Sequence, residues 1–532
     1  MQFQGGLRLA RRVCQTLFFL LFVWLLLATF YHGVVDEGGV AGDTIPYPVS
    51  IFLQFDPLAA LATLLAAGSL YEDLLWSLII IVATIFMGRL FCGWLCPLGA
   101  LNQFVSWTNP REGLSRRIAR CKPGGHQKVK YVFLAFFLGA ALFGVLQVGL
   151  LDPICFLIRS LGLSILPAID GAVRTLLDLA PADSEAARTG HRLLDDYFLG
   201  PRAMRFHAGW IVGLLFLIVL YLNRVKPRFF CRVLCPLGAL LGILSRFSLL
   251  TLRKDGALCN DCGICTASCQ GGASPEGGSD WRTAECVMCF NCTAGCPQDA
   301  LGFGFFAQVG ERDGRTALSR RGFIASALAG VAFGPLSRST SGPPNDIEPT
   351  LIRPPGSCDE EAFLARCVKC GQCMKVCPNN AIHPASLQGG IEGVWTPVII
   401  PRIGYCEPSC TLCSQVCPTG AIRAFSAADK ESHRVDIGTA VIDVSLCLPW
   451  ARGTPCMVCE EFCPVSPKAI WFEKRSISME DGAPREVLLP RVEPERCTGC
   501  GGCETACPIP DRAAIRITSC GESRSSKNQV IL

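Results

Sequence analysis

Charge is scarce along this chain. Only 17% of its 532 residues are Asp, Glu, Lys or Arg, and the mean hydropathy is +0.37. A soluble protein of this length carries more charge, so part of the chain is expected to lie in lipid. The net charge of +5 is too small to imply a nucleic-acid partner. Its natural meaning is an excess of Lys and Arg on the cytoplasmic side of a membrane. Histidine is scarcer still, with six residues, none placed to pair across apolar segments around a b haem. The pattern Cys-x-x-Cys-His does not occur, which excludes the c-type haem signature. Lys and Arg are missing altogether between positions 31 and 73.

Four apolar stretches, 13–30, 74–91, 131–150 and 208–222, approach the length of a bilayer span. Arg8, Arg11 and Arg12 precede the first. Arg111, Arg116, Arg117, Arg120, Lys122, Lys128 and Lys130 follow the second, and Arg224, Lys226, Arg228 and Arg232 follow the fourth. The positive-inside rule then puts both ends of this half in the cytoplasm and the loops 31–73 and 151–207 outside. Residues 1–250 are thus expected to form a four-span domain.

That half contains an internal repeat. Asp56-Pro57 and Asp152-Pro153 each open an apolar run, and Cys92-x-x-x-Cys96-Pro97-Leu-Gly-Ala-Leu matches Cys231-x-x-x-Cys235-Pro236-Leu-Gly-Ala-Leu. Two spans per copy give both copies the same topology, related by an axis along the membrane normal. Asp-Pro suits a helix start, with Asp as the cap and Pro in the first turn. Segments 56–70 and 152–167 read as re-entrant or interfacial helices on the outer side, the alternative for the first being a further full span. Symmetry can bring Cys92, Cys96, Cys231 and Cys235 together as a redox or metal site, or they are small buried residues at tight helix ends.

Cysteine, by contrast, is abundant, with 33 residues, most in runs spaced two or three apart and closed by Cys-Pro. Such neighbours suit one metal centre better than disulfides. Cys259, Cys262, Cys265 and Cys269 form one run; Cys286, Cys289, Cys292 and Cys296 form the next. This is two-cluster ferredoxin spacing, in which the fourth cysteine of each run reaches the other cube. One cluster is expected to take Cys259, Cys262, Cys265 and Cys296, the other Cys286, Cys289, Cys292 and Cys269. Gln270 stands where a proline is usual. The module, 251–310, follows the basic side and is expected in the cytoplasm.

Four more runs fill residues 357–532: Cys367, Cys370, Cys373 and Cys377; Cys406, Cys410, Cys413 and Cys417; Cys447, Cys456, Cys459 and Cys463; Cys497, Cys500, Cys503 and Cys507. They predict four further cubanes, six [4Fe–4S] clusters in all. The runs can pair sequentially, or first with fourth and second with third. Ala-Ile follows each at 381–382, 421–422, 469–470 and 514–515, small and apolar enough to pack against a cube. Cys14, Cys121, Cys155, Cys358 and Cys520 are left over as structural residues. Between the modules, Ser319-Arg320-Arg321-Gly322-Phe323-Ile324 and the apolar run 325–336 resemble a twin-arginine export signal. Without a small-x-small cleavage site, segment 315–340 is expected to remain as a fifth span, with 341–356 as linker and the four-cluster domain periplasmic.

The fold expected is therefore a polytopic α-helical membrane domain plus α+β bacterial-type ferredoxin modules. Residues 1–305 resemble NapH-type proteins, and 315–520 resemble NapG-type proteins, of periplasmic nitrate reductase systems; MauN and MauM are similar. The resemblance implies a quinol dehydrogenase of the inner membrane, drawing on the quinol pool and feeding a periplasmic redox enzyme or cytochrome. The alternative is a redox maturation factor for a metalloenzyme. Quinol oxidation needs a proton acceptor, and His32, Asp36, Asp56, Glu72, Asp152 and His207 are candidates near the expected outer surface. About 30 Å of hydrocarbon would part the two modules. Quinol, a relay centre on the paired-motif thiols, or a cytoplasmic second module would each answer that.

Overall fold

A computed structural model of the chain describes residues 2–29, 45, 47–69, 71–108, 112–179, 185–193, 204–273, 281–305, 319–339, 350–478, 484–525 and 528. The chain divides into two compact units. The first gathers residues 1–28, 49–161 and 210–336; the second gathers 29–48, 162–209 and 337–532.

The first unit is helical with one small sheet. Asp56 and Asp152 are both N-caps, as the Asp-Pro pairs predict: the Asp56 carboxylate accepts from Leu58 and Ala59 N–H, and Asp152 accepts from Ile154 and Cys155. Each is followed by Pro at the first turn, which starts the helices Pro57–Ala67 and Pro153–Ser160. The apolar stretches do form helices, but three are shorter than expected. Ser77–Met87 is stopped by Gly88 at φ 74°, Lys128–Ala141 ends before Gly144 at φ 78°, and Gly209–Leu222 is likewise short. Each is 11 or 14 residues, against about 20 for a full span. Among the described residues two helices are long and apolar enough to cross a membrane, Gly6–Ala28 and Pro153–Asp178. The second of these runs on well past the short helix expected there, through one π turn at Leu161–Ile165.

The segment after the twin arginines is a 20-residue helix, Arg320–Ser339, with Pro335 inside it. It is not one of the two helices just named, because its small and polar residues dilute its apolar character. Those small residues allow close packing instead. A side chain at Gly330 would collide with Phe136 backbone, and one at Gly139 with Ala327 backbone; Phe136 and Phe333 rings meet at 5.4 Å. Helices approach this closely only across small residues.

Strands β1 (Leu250–Lys254) and β2 (Leu301–Phe305) pair antiparallel and close the two runs between them. In the second unit, β3 (Ile382–Pro384) pairs with β4 (Pro397–Ile399), β5 (Thr439–Ile442) with β8 (Ile515–Thr518), and the nine-residue hairpin strands β6 (Ile470–Ser478) and β7 (Pro484–Val492) with each other. The four Ala-Ile pairs lie at the centre of this unit, every one of the eight residues at most 4% exposed. Burying each Ile contributes about 2–3 kcal/mol. At the edge, the buried Arg353 grips Glu360 through two nitrogens at 3.1 and 2.5 Å, and Arg524 binds the same carboxylate at 2.6 Å, tying the start of the domain to its end.

Candidate metal centres

Each Cys-x-x-Cys-x-x-Cys loop must turn its thiols to one side, and it does so with left-handed residues between them. Gly263, Gly371, Gly499 and Gly501 supply φ of 70–89°. In the Cys286 run, Met288 and Phe290 adopt φ 50° and 55° although neither is glycine. Such a conformation costs about 1–3 kcal/mol, and it sits where three thiols must converge.

The thiols then fall into sets of four. Cys259, Cys262, Cys265 and Cys296 line one cavity, and Cys269, Cys286, Cys289 and Cys292 line a second. Cys447, Cys456, Cys459 and Cys507 line a third. The free space in these is ≈ 380, 340 and 390 Å³, close to one size. Burial and then the neighbouring Cys370, Cys367 and Cys417 push the Cys373 thiol up. Burial, Cys410 and Cys406 do the same to Cys413, with Cys377 as a further neighbour. Cys503 is raised by burial and by Cys500, Cys497, Cys459 and Cys463. The fourth cysteine of the first run thus lies beside the second run's neighbour set and conversely, and the third and fourth runs do the same, the grouping that sequential pairing requires.

These donor sets fit cubane iron. Buried thiols crowded in fours ionise only against a cation, and backbone N–H groups already aim at the sulfurs: Ala273 at Cys269 (3.2 Å), Ala381 at Cys377 (3.3 Å), Ile422 at Cys417 (3.4 Å) and Ala514 at Cys507 (3.4 Å). Such bonds help set a cluster's potential.

Within the second unit the sets form a series. Cys373 feels Cys413 of the next set. Cys406 N–H donates to Cys500 O at 2.8 Å, joining that set to the third. Cys503 feels Cys459 of the last. At the central junction Lys430 Nζ donates to Cys406 Sγ at 3.3 Å and to the carbonyls of Glu407 and Cys410, both at 2.7 Å.

The paired motifs of the first unit also converge. Cys92, Cys96, Cys231 and Cys235 are all at most 8% exposed and are electrostatic neighbours of one another. Cys235 Sγ accepts from Gly238 N–H at 3.1 Å, whereas the Cys96 side chain makes no such cap bond. Two buried arginines that composition does not flag complete this group. Arg89 reaches Cys92 Sγ at 3.9 Å and Ala284 O at 2.8 Å. Arg228 donates to Cys92 O (3.0 Å), Gln103 Oε1 (2.7 Å) and Gln270 Oε1 (3.1 Å). Gln270, in place of the usual proline, is thus a partner for Arg228. Both arginines stand three residues before the first motif cysteine, in Arg-x-Phe-Cys, and that shared offset is the signal that could have found them.

The proton-acceptor candidates separate. Asp56 and Asp152 are 0% and 1% exposed, because each carboxylate caps a buried helix. The two carboxyl groups are electrostatic neighbours, and the second oxygen of each has no hydrogen-bond partner among the described residues. Glu72 is exposed at the start of a 3₁₀ turn. His207 is exposed and its ring lies 5.4 Å from that of His383 in the second unit. His32 and Asp36 lie outside the described residues.

Comparison with known proteins agrees with this chemistry. A family described as a 4Fe-4S binding domain matches twice, at residues 73–119 and 206–254; a 4Fe-4S dicluster domain matches 366–421; and another 4Fe-4S binding domain matches 489–515. No solved structure matches the chain. The loops, the thiol sets and these matches define a ferredoxin-type iron–sulfur protein with 4Fe-4S domains. Methylamine utilization ferredoxin-type protein MauM of Paracoccus denitrificans is 34% identical over 218 residues, 38% of this chain and 89% of the relative. Ferredoxin-type protein NapG of Escherichia coli is 35% identical over 196 residues, 36% of this chain and 78% of the relative. An uncharacterized protein of Methanocaldococcus jannaschii is 24% identical over 301 residues, 56% of this chain and 96% of the relative. The chain belongs to the MauM and NapG family of ferredoxin-type proteins.

Proposed function

We propose that the chain joins a NapH-like membrane half to a NapG-like ferredoxin half and carries electrons from quinol, through six [4Fe–4S] clusters, to a periplasmic redox enzyme. The observation that carries the electron-transfer reading is the series of thiol sets in the second unit, each an electrostatic or hydrogen-bonded neighbour of the next. The ligands of the six clusters are Cys259, Cys262, Cys265 with Cys296; Cys286, Cys289, Cys292 with Cys269; Cys367, Cys370, Cys373 with Cys417; Cys406, Cys410, Cys413 with Cys377; Cys447, Cys456, Cys459 with Cys507; and Cys497, Cys500, Cys503 with Cys463. Cubane iron supplies one-electron chemistry at each.

The make-up of the two units supports the sidedness. The second unit collects residues 29–48 and 162–209 with the four-run domain. Those segments take in part of each loop that the charge rule assigns to the outside, 31–73 and 151–207, while 49–73 and 151–161 fall in the first unit. The first unit packs the helix Leu114–Cys121 of the basic loop against the two-run module, with Cys121 Sγ 3.5 Å from Ala267 O. The twin-arginine segment then carries the chain to the periplasmic side.

Anaerobic titration of the purified protein with quinol, read by EPR of reduced clusters, tests the proposal. Reduction of several clusters by menaquinol or ubiquinol, blocked by a quinone-site inhibitor, is the expected result. Reduction by dithionite but by neither quinol overturns quinol entry and favours a maturation role or a cytoplasmic donor.

A further inference from the structure

We propose that a cavity inside the second unit, between its second and fourth cysteine runs, is a two-electron exchange site for a quinol headgroup, with His433 as the proton acceptor. The inference rests on the quinol reading above and gives it a place.

This cavity differs in kind from those of the thiol sets. Each of those is lined by four cysteines, whereas this one has a single thiol from each of two runs, Cys406 and Cys500. Two thiols from different sets do not make the four ligands of a cube. The free space is ≈ 920 Å³, more than twice that of any of the three. Of this, ≈ 310 Å³ is cavity proper, the size of a small-molecule site. The two runs meet beside it, where Cys406 N–H donates to Cys500 O at 2.8 Å.

The walls suit an organic ligand. Pro408, Pro464 and Val465 offer apolar surface to an aromatic ring. The proton chemistry comes from one short stretch of chain. Helix Ala427–Glu431 ends at Ser432, and His433 turns the chain in the left-handed region at φ 57°. Its Nδ1 then lies 3.2 and 3.1 Å from the two oxygens of Asp436. A carboxylate only accepts, so Nδ1 carries the hydrogen and Nε2 is left as the proton acceptor of the ring. Both side chains line the cavity, and they are 31% and 16% exposed. Lys430 lines it too, but its ammonium donates to Cys406 Sγ and two carbonyls and has no lone pair to offer.

The electron count matches. A hydroquinone becomes a quinone by losing two electrons and two hydroxyl protons. The cavity adjoins two proposed cubane sets, that of Cys406 and that of Cys500, each good for one electron, so both electrons have somewhere to go. His433 Nε2 takes the first hydroxyl proton, releases it at the exposed rim near Glu431, and takes the second. A donor of one electron and no proton would need neither the second thiol wall nor the His433–Asp436 pair.

Anaerobic equilibrium dialysis of the full-length protein with menadione, and EPR-followed reduction by menadiol, test the site. Wild type is expected to bind menadione, and Val465→Trp, which fills the cavity, to bind it about tenfold more weakly. His433→Gln is expected to keep most of the binding but to be reduced by menadiol about 10²-fold more slowly, with dithionite reduction intact. Wild type that binds no menadione, unchanged affinity in Val465→Trp, or an unchanged menadiol rate in His433→Gln each overturns the inference. Menadiol reduction at the wild-type rate in both variants would leave quinol entry standing, at another site. Menadiol that reduces no cluster in wild type would remove quinol entry and the exchange site together. Should Val465→Trp lose its dithionite-reducible signals, Glu431→Trp at the exposed rim takes its place.

Discussion

Lys430 gives the sharpest handle on the four-set relay. Its ammonium lies 3.3 Å from Cys406 Sγ and is held there by two carbonyls, in a largely buried site. A reduced cluster carries one more negative charge than an oxidised one, so a fixed cation beside a ligand sulfur favours reduction. The added electron spreads over the cube, which sets an effective separation of about 6 Å. At an effective dielectric of about 20, the attraction is about 2–3 kcal/mol. For a one-electron couple this is roughly 100 mV. Lys430→Met is therefore expected to lower the midpoint potential of the Cys406 cluster by that amount, while Lys430→Arg keeps most of it. EPR-monitored redox titration of the full chain reads each potential. If Lys430→Met leaves every midpoint within about 20 mV of wild type, the electrostatic reasoning fails.

Three further outcomes follow from the geometry. Cys417→Ser and Cys373→Ser are expected to remove the same EPR signal, whereas a first-with-fourth pairing would make Cys507→Ser the partner of Cys373→Ser. Burial pushes the Glu360 carboxyl up, but Arg353 and Arg524 outweigh it and hold the group at about 2, against 4.5 unfolded. The depressed value gives stability that is full above about pH 4.5 and lost as pH falls through about 2. With the carboxylate about a third exposed, about 1–2 kcal/mol survives screening. Glu360→Gln should lose that much at pH 7 by urea midpoint, and identical midpoints would refute the clamp. Asp56→Asn keeps a cap for the Leu58 and Ala59 N–H groups and should cost less than about 1 kcal/mol, while Asp56→Ala removes it and should cost about 1–2 kcal/mol. Equal melting shifts for the two variants in detergent would count against the cap.

Much of this was legible residue by residue because cluster chemistry is written in local spacing. Three thiols within six or seven positions must come from one loop, as in five of the six runs, so the composition of those sets up to the third member needs no tertiary information. The Asp-Pro helix starts are equally local, since a cap and a fixed φ act within one turn. Helix length was less legible. Gly88 and Gly144 end their helices inside runs whose apolar character continues, and a hydropathy window does not register a left-handed residue. Nor did sequence place Asp56 and Asp152, which look like boundary residues until the copies meet.

Taken alone, the chain dictates the eight cysteine runs or pairs that matter, the internal repeat, the basic and base-free loops and the membership of a 4Fe-4S class. Each is a matter of residue types and their order along the chain. Tertiary structure alone decided how the fourth cysteines of the second unit are shared among its runs, that Gln270 answers Arg228, and that two half-motifs 139 residues apart lie in one buried region. Those contacts depend on how helices and loops pack, and packing joins positions that no spacing rule connects.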